Sequence, residues 1–130
     1  MLIAWCAVVA YFAVTVGAVE VFVIDSDEAL RNATDMAAQK AWLESAARAS
    51  TAPWQVAIFH HPPFSSSSSH GSSTPMRWPF ADWGIDLVMS GHDHTYARSG
   101  DVAGSPRVGT QNLPDGYQQV YDPAIGTVYV

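Results

Sequence analysis

The sequence predicts an α/β chain on three observations: two short apolar runs bounded by turn formers, a valine-rich stretch with a glycine at its centre, and an alanine-rich segment of helical periodicity. The apolar runs are Trp54 to Phe59 (WQVAIF) and Ile85 to Ser90 (IDLVMS). The first reads as a strand buried on both faces of a sheet. Between Tyr11 and Asp25 the β-branched residues Val14, Val16, Val19, Val21 and Val23 predict two antiparallel strands, joined by a tight turn at Gly17-Ala18. Asp25-Ser26-Asp27 reads as a loop. From about Thr34 to Ala49, Met36, Leu43 and Ala47 recur at helical spacing with Trp42 beside them; Thr34 can cap this helix, Asp35 favours its first turn, and Thr51-Ala52-Pro53 stop it. The last thirty residues are loop-like around Gly100, Gly104, Pro106, Gly109, Pro114 and Gly116, with a closing strand from Thr127 to Val130.

Composition narrows the chemistry. With 48% hydrophobic and 14% charged side chains among 130 residues, the chain has the make-up of one globular domain rather than of a disordered tail. The single Cys6 can form no internal disulfide, and no Cys-x-x-Cys pair exists, so any metal is held by nitrogen and oxygen. Twelve acids against six bases give a net charge of -6 with no basic stripe, which argues against nucleic acid as a partner. The first nineteen residues carry no charged side chain, about the length of a membrane span. The strand-like pattern from Tyr11 onward and the lack of a basic start make a membrane segment the weaker expectation; residues 1–10 stay open between a strand and a signal-like segment.

Both apolar strands end in histidines. His60-His61-Pro62-Pro63 breaks the first, because proline cannot continue a ladder, and Gly91-His92-Asp93-His94 ends the second. Strand C-terminal ends are where ligands bind in open α/β sheets. Four of the five histidines lie in these two turns, and His70 follows the first across a run of serines, Ser65 to Ser69. One histidine beside a strand is ordinarily a hydrogen-bonded structural residue, so the inference rests on the cluster. His92 and His94, two residues apart, project to the same side of an extended segment and by spacing alone could chelate one ion or reach two neighbouring ions. Gly91 permits a sharp turn there. His61 is expected to point away from His60 if the strand persists, as a support or surface residue. Asn32-Ala33-Thr34 fits a glycosylation sequon, a short match that carries little weight.

Gly91-His92-Asp93-His94-Thr95-Tyr96-Ala97-Arg98 resembles the Gly-His-x-His-x-Tyr-x-Arg segment of purple acid phosphatases, within the calcineurin-like metallophosphoesterases. IFHHPPF resembles the strand of that family that ends in a metal-binding histidine before a proline turn. In the same order, YFAVTVGAVEVFVID resembles its hairpin, Gln39-Lys40-Ala41-Trp42-Leu43 its Gln-x-x-Trp-Leu, and Gly126 to Val130 the strand leading to its closing glycines. The match runs over about residues 11 to 130. It implies a partial metallophosphoesterase fold, mixed sheets packed face to face with flanking helices, in which residues 1–130 form the C-terminal portion of a single domain whose N-terminal half is absent.

The resemblance also implies a metal-activated hydroxide at a dinuclear site, two divalent or trivalent ions of zinc, iron or manganese, and a phosphate ester substrate. His60 and His92 would bind one metal and His94 the other. His70 would contact the phosphate or protonate the leaving group, and Asp93 would orient a ligand. Tyr96 and Arg98 are expected in packing and ion pairing. The branch implies an extracytoplasmic or secreted location. The carboxylate-bearing motifs of the family's first half, Asp-x-His, Gly-Asp-x-x-Asp or Tyr, and Gly-Asn-His-Asp or Glu, do not occur in these residues, so the chain alone is expected to be inactive. Two other expectations stand beside this one: a non-catalytic metal-binding or structural module, and a small protein anchored in a membrane by residues 1–19.

Overall fold

The computed structural model describes residues 11–67, 69–99 and 127–130. The expectations for residues 1–10 and for the loop around Gly104 to Gly116 lie outside the described residues. Five strands form one sheet in the order β1-β2-β3-β4-β5: β1 (Phe12–Val16), β2 (Val19–Val23), β3 (Trp54–Ile58), β4 (Leu87–Met89) and β5 (Val128–Tyr129). β1 pairs antiparallel with β2, and the remaining pairs are parallel. Gly17 opens the two-residue hairpin turn at φ 61°, a conformation that the first residue of a II′ turn requires and that a side chain disfavours. The expected strand pair is present. So are both apolar strands and the closing strand, each trimmed at its ends.

Two helices connect β2 to β3. α1 (Ser26–Arg31) starts where a loop was expected: the Asp25 carboxylate accepts the Glu28 N–H at 3.0 Å, and Asp27 and Glu28 add negative charge to the first turn. α2 (Ala33–Ala49) begins one residue before its expected start, because Asn32 and not Thr34 is its cap, accepting the N–H groups of Thr34 and Asp35 at 3.0 and 3.3 Å. Capping thus accounts for the Asn of the sequon. Gln39, Leu43 and Ala47 are the buried stripe of α2, with Met36 and Trp42 partly buried beside it. A 3₁₀ turn (Thr74–Met76) and the short α3 (Phe80–Trp83) connect β3 to β4.

Because spatial order follows chain order and parallel crossovers share one hand, the connecting helices fall on one face of the sheet. Register then fixes the core. Phe22, Ala57, Val88 and Tyr129 are partners across four strands, all are buried, and they join Leu43, Met76, Phe80 and Trp83 in one cluster. Burial of the Tyr129 ring pushes its hydroxyl pKa up to about 12. On the opposite face Phe12, Val14, Val16, Trp54, Ile58 and Met89 are exposed. β3 is therefore not buried on both faces, as its apolar run suggested; among the described residues it is covered on the helical side alone. Among the described residues no helix is long and apolar enough to cross a membrane.

At the strand starts, Gln55 N–H donates to the Asp86 carboxylate at 2.7 Å and Asp86 N–H donates to the Gln55 carbonyl at 2.9 Å. Burial raises the Asp86 pKa, and the Gln55 N–H only partly opposes it.

Truncation of Leu43, fully buried in this core, is expected to cost about 2–5 kcal/mol, read as a lower urea midpoint for Leu43→Ala. Asp86 gives a pH-dependent expectation. Its folded pKa lies above the unfolded one, so the folded state holds the proton more tightly and stability falls as pH rises through that window. Asp86→Asn, which keeps an acceptor for Gln55, is expected to raise the urea midpoint at pH 7, with the difference shrinking as pH drops towards the unfolded value of about 4.

Candidate metal centre

The parallel ladder continues past the strands and lays their C-terminal turns side by side. Ile24 N–H donates to the Ile58 carbonyl at 3.0 Å, Phe59 N–H to Met89 at 3.1 Å and Gly91 N–H to His60 at 3.0 Å. The turn after β2 thus abuts the one after β3, which abuts the one after β4. Each carries residues of the cluster or its support.

His60 Nε2 and His92 Nδ1 stand 3.1 Å apart, with ring centroids at 4.9 Å. His92 has φ 70°, a left-handed conformation uncommon outside glycine and of the kind that gathers at ligand sites. The sharp turn expected of Gly91 is made by His92 instead. Gly91 lies close to the first histidine: a Cβ on it would meet His60 Nδ1 at 3.5 Å, ordinary contact.

His61 joins them, its ring 5.0 Å from that of His60 and 4.6 Å from that of His92. It was expected to point away. The alternation behind that expectation ends with β3 at Ile58, and His60 and His61 lie in a bend where successive side chains need not oppose each other. Ser26, 1% exposed, holds the bend: its hydroxyl oxygen accepts the N–H groups of His60 at 3.2 Å and His61 at 3.1 Å, and lies 2.9 Å from His61 Nδ1. Gln39 sets Ser26 in turn, since its side-chain amide accepts Asp25 N–H at 3.0 Å and donates to the Asp25 carbonyl at 2.9 Å. Burial, followed by the His92 and His60 rings, lowers the His61 pKa against the opposing pull of Asp27. That shift favours the neutral ring.

The other two site histidines separate. The His70 ring lies 4.3 Å from that of His92. Asp93 places it: the carboxylate accepts the His70 N–H at 3.0 Å and the Ser65 hydroxyl, folding the serine loop back over the second turn. The Ser65 hydroxyl and the His70 N–H hold the Asp93 carboxyl below the usual carboxylate range although burial opposes them. His94 is exposed and lies outside the His60, His61 and His92 group. Tyr96, expected in packing, is 80% exposed.

The donor set suits a metal ion. One nitrogen from each of His60, His61 and His92 lies within 4.8 Å of the others. Two imidazole nitrogens bound to one ion at about 2.0–2.1 Å stand roughly 3 Å apart, which the pair formed by His60 and His92 matches. Imidazole is a ligand type that zinc, copper, iron and nickel all accept, so the donor set alone selects none of them. No carboxylate belongs to the group among the described residues.

Residues 8–96 match the family model of the calcineurin-like phosphoesterases. No curated protein matches the chain. Among solved structures the fold is similar to that of purple acid phosphatase PPD1 from seeds of yellow lupin, Lupinus luteus, with a TM-score of 0.59 at 17% identity over 72% of this chain. The chain spans 18% of that protein's length. The sheet with its flanking helices is accordingly part of a purple acid phosphatase-like fold, and with the match covering most of its length the chain belongs to the calcineurin-like phosphoesterase family.

Proposed function

We propose that this chain supplies the histidine side of a dinuclear, metal-dependent phosphoesterase centre acting on phosphate esters, most suitably monoesters. The approach of His60 Nε2 to His92 Nδ1 at 3.1 Å, from the ends of adjacent parallel strands, carries the proposal. Bound metal ions supply Lewis-acid polarisation of the phosphoryl oxygens and a water of lowered pKa for in-line displacement. His60 and His92 hold one ion. His94, exposed two residues further on, is available to a second. His70 meets the phosphate or the leaving group, its backbone fixed by Asp93. Asp93 orients by binding loop and turn together.

Three neutral imidazoles cannot offset two cations a few ångströms apart, whose repulsion is strong. The centre therefore needs anionic ligands that the group formed by His60, His61 and His92 does not contain. By itself the 130-residue chain is proposed to turn over little or no substrate.

The test is hydrolysis of an aryl phosphate with zinc, iron or manganese added, by the chain alone and by the complete domain that includes it. Turnover by the complete domain that a chelator stops, and that His92→Ala lowers by about a hundredfold or more, is the expected result. One weakly held ion per complete domain, with no turnover, would instead favour a non-catalytic metal-binding module.

A further inference from the structure

We infer that Ser26 locks His61 in the tautomer that carries its proton on Nε2, making His61 a hydrogen-bond donor beside the metal site and not a third metal ligand. The inference starts from the valence of one oxygen. A serine hydroxyl has one hydrogen to give and two lone pairs to accept with. Both lone pairs of Ser26 are taken, by the N–H groups of His60 and His61. The hydroxyl hydrogen remains, and His61 Nδ1 stands 2.9 Å away to receive it. Nδ1 is then an acceptor, so in the neutral ring the proton sits on Nε2.

The opposite tautomer would bring a third donor to the same oxygen and leave the Ser26 hydrogen without a partner where the residue is only 1% exposed. An unsatisfied buried polar group is what native interiors avoid. A second observation agrees. His61 Nε2 lies 3.8 Å from an Asp27 carboxylate oxygen, where an N–H is favoured over a lone pair. A nitrogen that carries hydrogen cannot coordinate a metal, and metal-bound histidines ordinarily donate their other N–H to a fixed acceptor, an arrangement Ser26 cannot provide. The three rings therefore divide. His60 and His92 offer lone pairs to an ion, while His61, its ring 4.6 Å from that of His92, carries its N–H at the Nε2 that lies 3.8 Å from Asp27. A phosphoryl oxygen bound at that ion is an acceptor suited to it. That last step rests on the phosphoesterase function proposed above; the tautomer does not.

The test uses the 130-residue chain. Long-range proton–nitrogen NMR is expected to show His61 with hydrogen on Nε2 and none on Nδ1. Ser26→Ala is expected to release a mixture of tautomers. A wild-type ring with hydrogen on Nδ1 overturns the inference without reference to any variant, as does an unchanged ring in a folded Ser26→Ala protein. Zinc titration supplies the second reading: His92→Ala is expected to weaken binding at least about tenfold and His61→Ala by less than about threefold, and equal losses overturn the assignment. Inorganic phosphate added to the zinc-loaded chain is expected to bind more weakly to His61→Ala. Phosphate binding indifferent to His61, with the Nε2 tautomer intact, overturns the proposed ligand and counts against the phosphoesterase reading, while the role of Ser26 stands.

Discussion

A single buried hydroxyl ties the start of α1 to the bend that follows β3. Ser26 accepts two consecutive backbone N–H groups, those of His60 and His61, which the end of the β3 ladder and the prolines at 62 and 63 leave without strand partners. The bend needs that acceptor, since it carries two adjacent histidines whose rings turn towards a third. Behind Ser26 stands Gln39, fully buried on α2, which reproduces for Asp25 the pair of hydrogen bonds a neighbouring strand would offer. The sequence of supports runs from helix packing, through one amide and one hydroxyl, to the orientation of imidazoles. Each step replaces backbone pairing that the ladder can no longer provide.

The second turn is held differently. His92 adopts a left-handed conformation, which exposes its ring to His60 at some cost in local energy, and Asp93 compensates by gathering the Ser65 hydroxyl and the His70 N–H. Five consecutive serines have no packing capacity of their own. Anchored by one carboxylate, their loop nevertheless delivers His70 to within 4.3 Å of the His92 ring. The residue between the two histidines of the turn thus acts through its charge on the loop opposite.

Much of the fold was legible because its signals are periodic. Valines at alternate positions around Gly17 specify the hairpin, and Leu43 and Ala47 specify the buried stripe of α2. Legibility ended where side chains replace periodicity. Asp25 and Asn32 cap two helices in a stretch read as a loop and one helix, and only the acids of the first turn of α1 could have revealed the difference. The convergence of His60 and His92 was readable from strand ends, whereas the position of His61 was not, because alternation along a strand says nothing about a bend two residues beyond it. Ser26 carries no signature that sets it apart from any serine, and the Gln-x-x-Trp-Leu resemblance that marks Gln39 says nothing of the hydrogen bonds it makes to Asp25. The covered and open faces of β3 were equally hidden, since a continuous apolar run does not say which neighbours are present.

The open face and the charge of the centre point the same way. Phe12, Val14, Val16, Trp54, Ile58 and Met89 form an apolar face that the described residues leave exposed, a face of the kind on which a second sheet can pack. The turns after β3 and β4 bring His60, His61 and His92 together at one end of this sheet. Metal ions there would leave positive charge that imidazole does not offset, and an anionic substrate offsets it only while bound. Carboxylates are the ligand chemistry suited to the remaining positions. A second sheet packed on the open face would end beside the same turns, where it could contribute them. Apolar packing and metal charge are, in that arrangement, satisfied by one and the same neighbour.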